Sequence, residues 1–251
     1  MLLVHGFGNE AHIWDEFAEA MSPYYHVYAV DQRGHGESQW ATDGYERERF
    51  VADLSAFLDQ LSLHKVTLVG LSMGGWNALL YTPGHQDRVE RVIIVDIAPE
   101  PSEVSLRQWG TRPPTPMEFD SLEEAVAWGR EGNPGATDAR HQKDMADKLR
   151  WREDGKWVWR ADPSLFNSLL RGGRDDEMIG RYWRGLKAIT CPILEVRGTL
   201  SILVSDDTLQ RMKEVAKEFD WIDVAGAGHV VTVDKPQEFI AVTREFLGAL
   251  P

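Results

Sequence analysis

The chain has 251 residues but only one cysteine, Cys191. A single thiol excludes an intrachain disulfide and any zinc site built from several cysteines. It is typical of a reducing compartment, so we expect a cytoplasmic protein. No run of 18 apolar residues occurs, so we expect no membrane-spanning helix. The apolar stretch at the start, within Met1–Gly6, is too short for a secretory signal, and its pattern predicts a strand followed by a loop.

Positive charge is also scarce. The chain has 27 Lys and Arg against 40 Asp and Glu, a formal net charge of −13. Such a field repels phosphate backbones and anionic lipids, so we expect neither nucleic acid nor a membrane surface as a partner. Hydrophobic residues make up 43%, and the 22 Gly and 12 Pro are ordinary numbers. This composition excludes a disordered or collagen-like chain.

Short β-branched runs alternate with helical patterns along most of the chain, which predicts an α/β fold with a mostly parallel sheet and helices on both faces. The predicted strands are Leu2–His5, His26–Asp31, Val66–Gly70, Val92–Asp96, Ile193–Arg197 and Trp221–Val224. Helices are predicted around the apolar stripe from Phe50 to Leu61 and over Met73–Thr82, Asp206–Phe219 and Pro236–Leu247.

The alternation stops in the middle of the chain, which predicts three parts: a first core segment 1–98, a mainly helical insertion 99–186 and a second core segment 187–251. The insertion contains helical patterns at Ser121–Glu131, Ala139–Leu149 and Pro163–Leu170, and a hairpin pattern at Trp151–Arg160. It also holds six of the ten tryptophans: Trp109, Trp128, Trp151, Trp157, Trp159 and Trp183. We interpret it as a lid, whose tryptophans either line a pocket or pack the insertion onto the core.

The most specific motif is Gly70-Leu71-Ser72-Met73-Gly74, which lies between an apolar strand and a helical stretch. G-x-S-x-G in this setting predicts a nucleophile elbow, a sharp turn that presents the serine hydroxyl at the edge of the sheet. Glycines flank the serine because side chains would clash in so tight a turn. We therefore predict Ser72 to be a nucleophile.

A serine nucleophile needs a base and an oxyanion site. Of the eight histidines, His229 follows the last strand in a small-residue loop that lets its imidazole reach the sheet edge. The backbone N–H of Met73 is one expected oxyanion donor, and that of Phe7 in the His5-Gly6-Phe7-Gly8 loop is the other. We expect His5 to brace this loop by hydrogen bonds rather than to carry a proton.

Four motifs resemble those of the α/β-hydrolase superfamily, most closely its small, capped, bacterial-type serine carboxylesterases. They are His5-Gly6-Phe7-Gly8, Asp31-x-Arg33-Gly34-x-Gly36-x-Ser38, Gly70-x-Ser72-x-Gly74-Gly75 and Gly226-x-Gly228-His229. The resemblance implies a parallel sheet, a helical cap after the sixth strand and a serine–histidine–acid triad. From its residues alone, the loop Asp31–Ser38 reads as structural, since its polar side chains can satisfy loop backbone groups.

The chain departs from the family pattern in two places. Family members begin with two further strands, so we expect the N-terminal edge strands to be missing and the strand His26–Asp31 to expose unpaired backbone groups. A second chain or covering loops would then protect that edge, and we expect a monomer or a homodimer. The usual position of the triad acid, three residues after Gly198, is occupied by Ser201.

The acid must reach the imidazole from the carboxyl end of a core strand. Asp96 meets this condition, and Asp206 and Asp207 are the alternatives, although both read more naturally as capping residues of the following helix. In similar esterases an acid on the earlier strand accompanies a serine at the vacated position. That resemblance implies that Ser201 accepts from, or orients, the ring nitrogen of His229.

These residues predict a serine hydrolase that cleaves small carboxylic esters through an acyl-enzyme, with no metal or organic cofactor. A carbon–carbon bond hydrolase, an enol-lactonase or a cofactor-free perhydrolase would use the same residues. A non-catalytic ligand-binding protein on the same scaffold is a further alternative. An epoxide hydrolase or a dehalogenase is disfavoured, because each needs a carboxylate in place of Ser72.

Overall fold

In the computed structural model, the short β-branched runs of the sequence form the strands of the main sheet. The structure describes residues 1–109, 113–132, 135–169 and 175–249, without the side chains of residues 109 and 167–169. Within these ranges the strands are β1 (Leu2–Val4), β2 (Tyr28–Val30), β3 (Val66–Leu71), β4 (Val89–Val95), β5 (Glu118–Phe119), β6 (Leu149–Arg152), β7 (Lys156–Trp159), β8 (Ile193–Gly198) and β9 (Phe219–Val224).

Six strands form the main sheet in the order β2-β1-β3-β4-β8-β9, and every neighbouring pair is parallel. The carboxyl ends of parallel strands meet at one edge of a sheet. The loops that follow β1, β3, β4, β8 and β9 therefore lie side by side at this edge, although they are far apart in the sequence. The strand β2 lies at one side of the sheet, and β1 is its neighbour there.

Two apolar layers cover the sheet because alternate residues of each strand point to opposite faces. On one face, Leu68, Ile94 and Ile193 pack among buried side chains from the surrounding helices. On the other face, Val69 and Val196 pack in a second cluster. Both layers are almost fully buried, which explains why these strands read as continuous apolar runs.

Helices supply both layers and connect the strands. Their bounds are α1 (Asp15–Met21), α2 (Arg47–Gln60), α3 (Met73–Tyr81), α4 (Glu103–Trp109), α5 (Leu122–Gly132), α6 (Asp138–Lys148), α7 (Pro163–Leu169), α8 (Asp176–Ala188), α9 (Asp206–Val215), α10 (Val231–Asp234) and α11 (Pro236–Leu247), with short 3₁₀ turns at Ala11–Trp14 and Thr82–Gly84. In α2 the side chains of Phe50, Leu54 and Leu58 are buried, as the apolar stripe predicts.

The segment between β4 and β8 differs from the rest of the chain. It contains α4 to α8 and a small antiparallel sheet in the order β5-β7-β6. The predicted hairpin is confirmed as β6 and β7, whereas β5 was not predicted. Leu170, the predicted end of one helix here, lies outside the described residues. The domain boundaries at 98 and 186 stay a prediction.

The predicted α/β fold with a mostly parallel sheet is confirmed, and the observed strand ends differ from the predicted ones by at most three residues. One helix prediction is wrong in its extent. The helix from Asp206 stops at Val215, since Ala216 adopts an extended backbone and Phe219 begins β9. The side chain of Phe219 is buried against the sheet, so tertiary packing ends the helix earlier than the local pattern indicates.

Candidate active site

Ser72 lies in a strained turn between β3 and α3. Its φ of 51° and ψ of −117° place a non-glycine residue where side chains rarely fit. A Cβ atom on Gly70 would lie 2.5 Å from the backbone of Gly74, and one on Gly74 would lie 2.1 Å from the carbonyl oxygen of Val4. Both flanking glycines are thus required by close backbone approach, and the geometry is that of a nucleophile elbow.

Asp96 lies in a second strained turn, on the strand beside Ser72. Leu71 and Val95 are paired in the sheet, so the residues that follow them, Ser72 and Asp96, are neighbours at its edge. The N–H of Ser72 donates to the carbonyl of Val95 at 3.1 Å. Asp96 also has a φ of 51°, and it is fully buried. Sequence reasoning did not predict this conformation, although Asp is enriched in the left-handed region.

The carboxylate of Asp96 accepts hydrogen bonds from three donors, which lie at the end of β8 and in the loops after β8 and β9. Nδ1 of His229 lies 2.7 Å from Oδ2, the hydroxyl of Ser201 lies 2.5 Å from the same oxygen, and the N–H of Gly198 lies 3.3 Å from Oδ1. The imidazole of His229 is 35% exposed, whereas its carboxylate partner is fully buried. The site therefore combines a shielded acid with a histidine that solvent and a small molecule can reach.

The contact of Ser201 differs from the expected one. Its hydroxyl donates to Asp96 instead of contacting the ring of His229, and its oxygen accepts the N–H of Leu203 at 3.2 Å. The reason is geometric: the imidazole and the hydroxyl approach the same carboxylate oxygen from two loops. Ser201 thus contacts Asp96 and not His229.

Asp206 and Asp207 lie away from this cluster, in the first turn of α9. Asp206 pairs with Arg197 at 2.7 Å, and both aspartates are exposed. The expectation that they cap the helix is wrong, because the N-cap residue is Ser205, whose hydroxyl accepts the N–H of Thr208 at 3.2 Å. Their negative charges instead stabilise α9, because they lie near the positive, N-terminal end of its helix dipole.

The loop after β1 lies directly against the nucleophile. A Cβ atom on Gly6 would lie 3.1 Å from Cβ of Ser72, so glycine is needed for this approach. Within the described residues, neither the N–H of Phe7 nor that of Met73 donates a hydrogen bond. Met73 is the first residue of α3, where a backbone N–H has no partner inside the helix. The two residues with unpaired amides thus adjoin the site in sequence: Met73 follows Ser72, and Phe7 follows Gly6, which lies against Ser72.

Two buried histidines hold this loop in place. His5 donates from Nδ1 to the carbonyl of Gly6 at 2.7 Å and accepts the N–H of Gln32 at Nε2 at 3.0 Å. His35 contacts the carbonyl of Arg33 through Nδ1 and accepts the N–H of Gly8 at Nε2 at 3.2 Å. Burial lowers the pKa of His35 to about 4 and that of His5 well below its usual range. Both rings are therefore neutral, as a bracing role requires.

Gln32 and Asn77 extend this bracing to the nucleophile helix, and sequence reasoning missed both. The amide of Asn77 in α3 donates to Oε1 of Gln32 at 2.7 Å, and the amide of Gln32 donates to the carbonyl of His5 at 2.6 Å. All three side chains are buried. A polar residue at 77 within an otherwise apolar helix face is the signal that could have revealed this chain of hydrogen bonds.

The loop Asp31–Ser38 has the structural contacts that its residues predict. The carboxylate of Asp31 accepts the N–H of Ala11 at 2.7 Å and that of Glu37 at 2.8 Å, and Ser38 donates to the carbonyl of Asp31. Arg33 forms a two-point ion pair with Asp53 in α2. These groups tie loop backbone and α2 together.

Aromatic side chains of the insertion pack onto the loop after β1 and onto α3. One cluster contains Met73 and Phe7 together with Trp159, Phe166 and other buried residues between β4 and β8. The rings of Phe7 and Phe166 meet edge to face with centroids 5.0 Å apart, and Trp159 and Phe166 are 5.6 Å apart. The insertion thus lies on the same edge of the sheet as Ser72.

The arrangement is suited to nucleophilic chemistry. The structure describes both Ser72 and His229 and shows no hydrogen bond between their side chains. Within the predicted triad, the side-chain hydrogen bond that it shows is the one between His229 and Asp96. Among the described residues, no group of three or more His, Cys, Asp or Glu side chains is placed to hold a metal ion. In the described part of the chain, no helix is long and apolar enough to cross a membrane.

The fold and the site define an α/β protein with a nucleophile elbow at the carboxyl edge of its sheet. The sequence model of the alpha/beta hydrolase family matches residues 1–242, and the chain belongs to this family. The predicted superfamily is thereby confirmed, and the protein is a member of a family of hydrolases.

Relatives of known name share about a quarter of the sequence. The chain is 26% identical to a 3-hydroxybutyrate-oligomer hydrolase of Cupriavidus necator, over 99% of this chain and 88% of the relative. It is 27% identical to an esterase of Mycobacterium tuberculosis, whose solved structure superposes with a TM-score of 0.81 over 98% of this chain and 84% of that one.

A third relative is a 2-(acetamidomethylene)succinate hydrolase of Mesorhizobium japonicum, 27% identical over 99% of this chain and 88% of the relative. A crystal structure of an E-2-(acetamidomethylene)succinate hydrolase superposes with a TM-score of 0.88 at 24% identity, over 99% of this chain and 91% of that one. At this identity the superposition supports the fold.

Proposed function

We propose that this protein is a serine hydrolase that cleaves small carboxylic esters through an acyl-enzyme intermediate. One observation carries the proposal: the strained elbow of Ser72 lies beside Asp96, whose carboxylate is 2.7 Å from Nδ1 of His229. Ser72, Asp96 and His229 thus follow β3, β4 and β9, whose carboxyl ends lie at one edge of the sheet. Two relatives support an ester substrate, since one is named an esterase and the other a hydrolase of hydroxybutyrate oligomers.

In the proposed reaction, the hydrogen bond to Asp96 keeps the proton of His229 on Nδ1 and leaves the lone pair of Nε2 free. Nε2 takes the proton of Ser72 as its oxygen attacks the ester carbonyl. The imidazolium then protonates the leaving alcohol, and the anion of Asp96 stabilises this positive charge. Water enters in the second half, and the same imidazole removes its proton to release the carboxylic acid.

The backbone amides of Phe7 and Met73 are the proposed oxyanion donors. Phe7 follows Gly6, which lies against Ser72, and Met73 follows Ser72 itself. Both amides have no acceptor within the described residues, and the Met73 amide adds the positive end of the α3 dipole. Such preorganised donors stabilise the charge that develops on the carbonyl oxygen. No cofactor is part of the proposal.

The segment between β4 and β8 is the proposed lid. Its aromatic side chains, Phe166 and Trp159 among them, pack beside Phe7 and Met73. An apolar surface at this position would bind the acyl or alkyl part of a neutral ester. The lid function and its boundaries at 99 and 186 belong to this proposal.

The decisive experiment measures turnover of p-nitrophenyl esters of increasing acyl length by the wild-type protein and by Ser72→Ala. We expect loss of a triad member to lower kcat/KM by about 10⁴-fold or more while the thermal unfolding curve changes little. The length series reports the size of the acyl site. Ester turnover at the wild-type rate by Ser72→Ala would refute the mechanism.

Covalent labelling separates an enzyme from a ligand-binding protein with the same fold. A fluorophosphonate is expected to modify Ser72 in the wild type and to leave Ser72→Ala unlabelled. The exposed serine Ser22 is the control, and its replacement by Ala should change neither labelling nor turnover, since Ser22 is the C-cap residue of α1. A wild-type protein that resists the probe would favour the non-catalytic alternative.

A further inference from the structure

A carboxyl group is fully buried in the middle of the main sheet. Glu195 belongs to β8, where it is paired with Ile94 of β4 on one side and Trp221 of β9 on the other. Its strand neighbours Leu194 and Val196 are buried apolar residues. A carboxyl group in such a place loses its hydration, so its persistence calls for a specific partner.

The partner is the turn that contains Asp96. Oε1 of Glu195 accepts the N–H of Ile97, the residue after Asp96, at 3.2 Å. Oε2 has no hydrogen-bond partner within the described residues. Glu195 therefore lies beneath the peptide group that joins Asp96 to Ile97, on the sheet face opposite to Leu194 and Val196.

That peptide group determines where the carboxylate of Asp96 points. Asp96 has a φ of 51°, a strained value that persists only where surrounding contacts enforce it. The N–H of Asp96 is held by the carbonyl of Val196 at 3.0 Å. The N–H of Ile97 turns with the ψ angle of Asp96, so an acceptor for this N–H fixes the remaining backbone angle.

We propose that Glu195 is a positioning residue: its buried carboxyl group holds the amide of Ile97 and thereby fixes the strained turn that aims Asp96 at His229. The assignment concerns backbone geometry and is independent of substrate. Its consequence for turnover rests on the proposed serine hydrolase function.

The charge state of Glu195 agrees with this role. Burial raises its pKa well above the usual range, and the nearby charge of Asp96 raises it further. The backbone amides of Ile97 and Asp96 and the guanidinium of Arg197 lower it more weakly. Burial thus favours the neutral form of the Glu195 carboxyl group. A neutral group can hold the turn without competing with the charge of Asp96 for the proton of His229.

Three substitutions separate the contact from the bulk of the side chain. Glu195→Gln keeps an oxygen acceptor at the same reach and carries no ionisable group. Glu195→Met keeps the volume and removes the acceptor, and Glu195→Asp keeps the acid but is one methylene too short to reach Ile97. Thr67→Val is the matched control, because Thr67 is a buried polar residue on β3 whose hydroxyl binds Glu90 at 3.0 Å, away from the site.

Turnover is the first readout. We expect Glu195→Gln to keep kcat within about threefold, and Glu195→Met and Glu195→Asp to lower it by about 10- to 100-fold with KM nearly unchanged, since small misplacement of a catalytic group costs this much. Thr67→Val should lower stability without changing kcat. Wild-type kcat in both Glu195→Met and Glu195→Asp would overturn the assignment. If Glu195→Met does not fold, wild-type kcat in Glu195→Asp alone overturns it.

The second readout needs no substrate. The proton between Nδ1 of His229 and Asp96 should give a low-field ¹H resonance that disappears in Asp96→Asn. We expect this resonance in the wild type and in Glu195→Gln, and its shift or loss in Glu195→Asp. If the wild type hydrolyses no ester but the resonance behaves in this way, the proposed function fails and the positioning role stands. An unchanged resonance in Glu195→Asp overturns the positioning role by itself.

Discussion

At the scale of single residues, the site is organised around one carboxylate. Asp96 is shielded from solvent, and its carboxylate accepts hydrogen bonds from His229, Ser201 and the N–H of Gly198. These contacts have unequal chemical weight: the imidazole must carry a positive charge during the proposed reaction, whereas the hydroxyl and the amide only orient the acid. The variants around Asp96 should therefore fall into a clear order.

We predict that Asp96→Asn lowers kcat/KM by about 10³- to 10⁴-fold, because the imidazole loses the anion that orients and stabilises it. Ser201→Ala should cost about tenfold, since it removes one hydrogen bond to a charged group and leaves the acid in place. Steady-state kinetics with one p-nitrophenyl ester measures both.

Asp206→Asn and Asp207→Asn are the controls for this order. Both residues are exposed in α9, so their kcat/KM should stay within about twofold of wild type. An inactive Asp207→Asn variant together with an active Asp96→Asn variant would assign the triad acid to the first turn of α9.

At the scale of elements, the close approach of α3 to β1 sets the position of the nucleophile. The strand end at Val4 and the helix start at Gly74 touch through backbone atoms, with no room for a side chain between them. A larger residue at 74 must separate the helix from the strand or distort both. The elbow is thus held by packing of elements as well as by local turn chemistry.

Gly74→Ala is expected to lower the free energy of unfolding by about 3 kcal/mol, as overpacking against rigid backbone does. For a chain of this size that corresponds to a fall in Tm of roughly 6–12 °C. Thermal unfolding followed by circular dichroism measures the change.

Gly84→Ala is the matched control for Gly74→Ala. A Cβ atom there would meet nothing within 4 Å, and its Tm should stay close to that of wild type. Equal melting temperatures of Gly74→Ala and wild type would contradict the close backbone approach.

At the scale of the whole molecule, buried ionisable groups make stability depend on pH. Burial lowers the pKa of His35 to about 4, below the value of about 6.5 in an unfolded chain. Between these two values the unfolded chain binds a proton that the folded chain does not. The free energy of unfolding therefore falls as the pH falls from about 6.5 towards 4.

We predict that His35 contributes about 3 kcal/mol to this fall between pH 7 and pH 4. Urea unfolding of the wild type and of His35→Gln across this range isolates the contribution, because other groups cancel in the difference. The exposed His64→Gln is the control and should run parallel to the wild type. A wild-type minus His35→Gln difference that stays constant from pH 7 to pH 4 would rule out a buried neutral His35.

Much of this protein followed from the sequence by itself. The apolar runs determined the strands. A strand of a parallel sheet that is covered on both faces is apolar along its length, so it appears in the sequence as a continuous apolar run. Gly70, Ser72 and Gly74 determined the elbow, since the spacing of small residues around a serine is a local requirement of the turn. His229 was found for the same reason, from a short small-residue loop after a strand.

The tertiary structure decided what depends on residues distant in the chain. The donor from Ser201 to Asp96, the Gln32–Asn77 bracing and the contact of Glu195 with Ile97 each join segments that the sheet order brings together. Strand order is set by the packing of whole elements, which no local pattern encodes. The strained backbone of Asp96 belongs here too, because strain of this kind is stabilised by its surroundings and leaves no mark in the neighbouring sequence.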